Sequence, residues 1–173
     1  FCVVCQSQAV LLSQLGQSAV SDQLIHESVE LSGQIGILAE ADTVLFFGGL
    51  SEYAESEGFD RKTLSLPKNQ LELLDSLHKS GKSIVFVMYG GSPVDTSFDY
   101  ATDAILNMYL PGQAGGEAAY DLVYGKANPS GKLAETFPLT NEDNLAAAYF
   151  PMGPRTVEYR ESIYVGYRYF DKA

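Results

Sequence analysis

The chain has 173 residues, with 22 acidic against 11 basic side chains and a formal net charge of −11. That length suits one globular domain, and 46% hydrophobic content against 19% charged residues argues against wholesale disorder. The longest apolar runs, residues 43–47 and 84–88, fall far short of the roughly 20 residues that span a bilayer; an acidic chain with no basic patch argues against nucleic acid, whereas a neutral sugar would be indifferent to the field.

FCVVC opens the chain and reads as a first strand over residues 1–4. Cys2 and Cys5 have formal C-x-x-C spacing. Residues three apart on a strand lie about 10 Å apart and point to opposite faces, too far for a disulfide. No second Cys pair and no His pair at ligand spacing completes a metal site, so both read as buried thiols. The chain starts at Phe1 with no leader pattern, and it reads as a fragment.

Residues 7–31 mix Gln, Ser and apolar side chains without a clear division, although Ser21-Asp22 can cap a helix over 24–31 and residues 35–41 suggest a further helical turn or two. TVLFF at 43–47, ending in Gly48-Gly49, predicts a buried strand. An acidic loop at 51–62 follows. Pro67 then precedes a helix over 69–79, with Leu71, Leu74 and Leu77 at helical spacing and Gly81 as its stop. SIVFVM at 83–88 predicts a strand running into Gly90-Gly91, and residues 104–110 another running into Pro111-Gly112. Residues 117–124 read as a helix stopped by Gly125, and 133–136 and 163–169 as further strands around a loop at 141–155. Apolar strands alternating with helices make the fold class α/β: a mostly parallel sheet sandwiched between helices in three layers, as a single domain over 1–173. Sites in such folds form at the carboxyl ends of strands, here the loops 48–61 and 89–95.

The densest polar run is GLSEYAESEGFDR, which places Glu52, Glu55, Glu57 and Asp60 beside Arg61. Crowded carboxylates raise one another's pKa and a neighbouring Arg lowers it, so one group can be kept as a general acid. The plainer alternative is a solvated acidic loop, or one that holds a cation such as calcium through oxygen ligands, with Asp60-Arg61 a structural ion pair. Residues 111–116 could cradle a phosphate at a helix N-terminus, but no P-loop ending follows, and glycines for a tight turn explain the run equally well. Ser51, Ser92 and Ser130 lack a nucleophile elbow, and His26 and His78 sit in helical patterns at the surface, so a Ser-His triad is not expected. Tyr164, Tyr167 and Tyr169 read as sheet and core aromatics before they read as a sugar platform.

Taken in order, EADTVLFFGGL, ESEGFDR, LSLPKNQLELL, SIVFVMYGGSPVD, AILNMYLPGQAGGEAAYDLVYGKANPSGKLAETFP and YRESIYVGYRYFD resemble the C-terminal α/β-sandwich domain of glycoside hydrolase family 3, the family of β-glucosidases and β-xylosidases. The resemblance covers about residues 38–171, and residues 1–35 match poorly. It implies retaining hydrolysis of β-linked glucosides or xylosides by two carboxylates. It further implies that the nucleophilic Asp belongs to a (β/α)8-type barrel domain absent from this chain. The loop at 49–61 would lend the acid/base Glu. Glu55 is the favoured match, Glu57 looks more like a loop-ordering residue beside Asp60-Arg61, and Glu52 is the outsider. The implied partners are a barrel domain, on the same precursor or another chain, and a glycoside or oligosaccharide substrate. No cofactor is implied, and the compartment would be extracellular or lysosome-like. Without the barrel the chain alone should be inactive.

Two other classes of function compete. The domain could be a non-catalytic binding or assembly module that keeps the fold without the barrel, or Cys2 and Cys5 could serve a redox role.

Overall fold

The computed structural model describes residues 2–5, 41–150 and 155–172. The expected helix over 24–31, the helical turns at 35–41 up to Ala41, and His26 lie outside them.

Four strands form one parallel sheet in the order β1 (Cys2–Cys5), β2 (Thr43–Gly49), β3 (Ser83–Tyr89) and β4 (Ala104–Asn107). The sheet is in sequence order and wholly parallel, with Cys2 opposite Val44, Val44 opposite Ile84 and Phe86 opposite Ile105. Parallel neighbours require a crossover between them, and the one from β2 to β3 contains α1 (Lys68–Lys79). A further helix, α2 (Gly115–Val123), follows β4, and a short α3 (Tyr167–Phe170) lies near the C-terminus. This is the α/β architecture expected from the alternation of apolar strands and helices.

Alternation along the strands explains the packing. Val44 and Phe46 on β2, with Ile84, Phe86 and Met88 on β3, form one core cluster with Leu73, Leu74 and Leu77 of α1. Phe86 stacks at tilted or edge geometry on Phe46 (4.9 Å between ring centroids) and Phe98 (5.4 Å), and each such aromatic pair adds about 0.5–1.5 kcal/mol beyond area burial. Leu45 and Val87 occupy the alternate positions and are buried as well, which is why both strands are apolar throughout.

Two expected strands do not form. Residues 133–136 are irregular, and 163–169 divides into a turn and the start of α3. Their apolar side chains satisfied a strand pattern, but Leu133, Ile163, Tyr164 and Tyr167 are exposed, so no buried face rewards pairing. Tyr164 and Tyr167 are therefore not core aromatics; Tyr169 is half-buried. β4 stops at Asn107 rather than at residue 110, and Tyr109 beyond it has φ 50°, a conformation incompatible with a strand. No helix among the described residues is long and apolar enough to cross a membrane.

Candidate active-site loop

All four strands run the same way, so the loops after β2, β3 and β4 gather at one edge. Leu50 N–H donates to Tyr89 O (2.8 Å) and Gly90 N–H to Tyr109 O (3.1 Å), which carries the pairing past the strand ends. The acidic loop leaves from this edge.

Its departure is set by Gly49, whose φ of +139° favours glycine and whose position leaves no room for a side chain against the Tyr89 carbonyl. A short helical turn follows, with Ala54 N–H and Glu55 N–H both donating to Ser51 O at 2.9 Å. That turn exposes Glu52 and aims Glu55 at the neighbouring loop. There Glu55 Oε1 accepts from Gly91 N–H (2.8 Å) and Oε2 from the Ser92 hydroxyl (2.7 Å). A methyl group on Gly91 would lie 2.5 Å from Glu55 Oε1, so a side chain there would push the carboxylate off the Gly91 N–H.

The chain then reverses in a tight turn closed by an antiparallel bridge between Ser56 and Phe59. Glu57 stands at its tip, exposed, and its carboxylate has no hydrogen bond or ion pair among the described residues. Past the turn, Arg61 Nη1 donates to Ser92 Oγ (2.9 Å) and to Pro93 O (2.7 Å). Asp60 is exposed and Arg61 is not paired with it, contrary to the expected Asp60-Arg61 ion pair. The guanidinium reaches across the loops because burial there is compensated by the charges of Glu55 and Asp95; burial pulls its pKa down and those two carboxylates pull it back up. Arg61 Nη2 is buried without a hydrogen-bond partner.

Asp95 completes the set. It is 6% exposed, accepts from the Ser97 hydroxyl and backbone N–H, and its own N–H holds Leu64 O at 3.0 Å. A cavity of about 330 Å³ lies between the loops, with Glu55, Asp60, Arg61 and Ser92 among the residues that line it, but not Glu57.

The structure thus brings Glu55 and Arg61 together through Ser92, leaves Glu52 and Glu57 exposed and outside the lining of this cavity, and keeps the exposed Asp60 within that lining. Among the described residues no cluster of three or more His, Cys, Asp or Glu side chains is placed to hold a metal ion. At the other glycine-rich run, α2 begins with Gly115 packed on the Pro111 ring, where a side chain would clash at 2.6 Å. That contact accounts for the glycine in the tight turn. His78 is exposed on α1, stacked edge-on against Tyr100 at 5.6 Å.

Sequence reading passed over Gln70 and Asp95, and weighed Ser92 only as a nucleophile. Gln70 carried a signal, since it occupies the first place of the apolar stripe 70, 73, 74, 77 on α1. Ser92 and Asp95 carried a weaker one: GGSPVD follows a buried strand at the same sheet edge as the acidic loop.

The model of the glycosyl hydrolase family 3 C-terminal domain matches residues 8–167. Thermostable beta-glucosidase B of Acetivibrio thermocellus is 39% identical over 158 residues, covering 91% of this chain and 20% of that protein. Exo-alpha-(1->6)-L-arabinopyranosidase of Bifidobacterium breve is 44% identical over 133 residues, 76% of this chain and 17% of that protein. Among solved structures, the GH3 beta-glucosidase of Bifidobacterium adolescentis superposes with a TM-score of 0.70 at 46% identity, covering 79% of this chain and 21% of that one. The beta-glucosidase of Kluyveromyces marxianus in complex with glucose gives 0.72 at 32% identity, covering 84% and 18%. The chain spans about a fifth of the length of the curated relatives it matches.

Proposed function

Because the chain belongs to the C-terminal domain family of glycosyl hydrolase family 3, we propose that it is the second domain of a retaining β-glycosidase acting on β-linked glucosides or xylosides, and that Glu57 is its acid/base. The observation that carries the assignment is the division of labour in the acidic loop. Both oxygens of Glu55 are taken by Gly91 and Ser92. The Glu57 carboxylate, exposed at the tip of a turn beyond the carboxyl ends of the strands, is free to approach a sugar. A general acid must bring an uncommitted oxygen within hydrogen-bond reach of the leaving group; Glu57 meets that condition where Glu55 does not, and Glu52 is outside the part of the loop that matches the family motif.

Glu57, protonated, gives its proton to the glycosidic oxygen as a nucleophilic carboxylate attacks the anomeric carbon. Ionised, it then takes a proton from the water that releases the sugar. Retention needs the two carboxyl groups about 5–5.5 Å apart, so the nucleophile comes from a barrel domain docked against this edge, and this domain by itself supplies half of the pair. Docking is supported by the apolar side chains left uncovered between residues 133 and 170, among them Phe150, Val157, Tyr159 and Ile163. A partner of standard interface size would bury them.

The test uses this chain assembled with a family 3 barrel domain. Glu57→Gln should lower hydrolysis of a β-glucoside with a poor leaving group by about 10²–10⁴-fold, spare an activated aryl glycoside in the first step, and be rescued by azide. The same signature on Glu55→Gln, with Glu57→Gln near normal, would transfer the role to Glu55. An unmodified assembly without glycosidase activity would leave the reading of a binding module.

A further inference from the structure

The two halves of the acidic loop are tied down on either side of the turn that carries Glu57, and both ties end on one side chain. Glu55, two residues before Glu57, accepts from the Ser92 hydroxyl at 2.7 Å; Arg61, four residues after it, donates to the same oxygen at 2.9 Å. Ser92 uses its single O–H on Glu55 and a lone pair on Arg61, and the opposite charges of the two partners fix which way the hydroxyl points. Flanking contacts reinforce both ties, Gly91 N–H on Glu55 and Pro93 O on Arg61. Residues 56–60 between them make no comparable tie to the rest of the fold among the described residues. The place of the turn is therefore set at its two ends.

We propose that Ser92 is a positioning residue for catalysis: by holding Glu55 and Arg61 together it fixes the turn bearing Glu57, and with it the distance from the Glu57 carboxyl to the glycosidic oxygen. The proposal rests on the reading of Glu57 as the acid/base. Its physical content is that Ser92 touches neither substrate nor reacting atoms. A hydroxyl-free side chain leaves Glu55 with Gly91 alone and Arg61 with Pro93 alone, and the loop ends part. The turn then samples a wider range of positions, and a misplacement of about 1 Å at a reacting group is enough to slow a reaction by up to about 10²-fold.

A loosened acid has a signature that a loosened fold lacks. Proton donation matters most when the leaving group is a poor one, and little when it departs readily as an anion. In the assembly with a family 3 barrel domain, Ser92→Ala should lower kcat/KM, which reports the first step, about tenfold or more on an alkyl β-glucoside or a disaccharide, and change kcat/KM less than about twofold on a dinitrophenyl β-glucoside. Ser92→Thr, which keeps the hydroxyl, should recover most of the loss. Glu55→Gln is the second variant if Ser92→Ala does not fold: it keeps an acceptor for Gly91 but removes the charge facing Arg61, and the same leaving-group dependence is expected. Equal loss on both substrates, or no recovery in Ser92→Thr, overturns the positioning role. Glu57→Gln run alongside separates the two ideas. If it shows the leaving-group dependence and Ser92→Ala does not, the acid assignment stands and the positioning role falls; if Glu57→Gln does not show it, both fall.

Discussion

The buried side-chain amide of Gln70 closes a two-point bond on the backbone of Gly49: its Oε1 accepts from Gly49 N–H at 2.8 Å and its Nε2 donates to Gly49 O at 2.7 Å. Helix α1 thereby grips the last residue of β2, the point from which the acidic loop departs. A polar residue on the apolar face of a helix is tolerated because both of its hydrogen-bonding groups are matched. Gln70→Leu keeps the volume and leaves the N–H and C=O of Gly49 unsatisfied, which should cost about 2–4 kcal/mol. Urea unfolding followed by circular dichroism should show a lower midpoint at an unchanged slope; a shift below about 0.5 kcal/mol would mean that the amide pair contributes little.

Two glycines should respond in opposite directions. Gly91→Ala pushes the Glu55 carboxylate off the Gly91 N–H and should destabilise by about 0.5–1.5 kcal/mol, the net worth of that hydrogen bond. Gly116 lies inside α2 with open space where a Cβ would sit, so Gly116→Ala should stabilise by about 0.5–1 kcal/mol. Thermal melts of the two variants against the unmodified chain check both signs.

Asp95 should shape the acid limb of the stability curve. Burial alone would raise its pKa, but hydrogen bonds from Ser65 and Ser97, together with the charge of Arg61, outweigh burial and hold it below the ordinary carboxylate value. A pKa depressed in the folded state contributes stability that is fully present above the unfolded value, about 3.9, and is lost as the pH falls through the folded value. Asp95→Asn should therefore be less stable than the unmodified chain above about pH 5, with the gap narrowing below about pH 4. Urea midpoints measured across that range test it; a gap that is constant with pH would show that the charge of Asp95 is not involved.

The exposed aromatics near the C-terminus give a prediction in which folding and assembly part company. Tyr159 is 89% exposed and Phe150 74%. Replacing both with Ser should alter the stability of this chain by no more than about 0.5 kcal/mol each. The same changes should weaken association with a family 3 barrel domain, read by sedimentation velocity or titration calorimetry. Unchanged association would place the docking surface elsewhere.

Part of this molecule is set by local pattern alone. β2, β3 and α1 were legible because each is an apolar run or stripe of sufficient length bounded by Gly or Pro, and the burial that such runs demand admits few alternatives to a parallel sheet. The family was legible from the order of the motifs, and the edge from which the acidic loop departs followed from strand direction. Tertiary structure decided the rest. Residues 133–136 and 163–169 have strand-like composition, yet no strand forms there, since pairing and burial are properties of neighbours and not of the segment. In the acidic run, Glu55 and Glu57 are chemically identical and two positions apart, and nothing local distinguishes them. What separates them is the approach of a loop 36 residues further along, whose Gly91 and Ser92 engage one carboxylate and leave the other in solvent. Hydrogen bonds between segments distant in sequence are made once the sheet has assembled, and only folding brings their partners within reach.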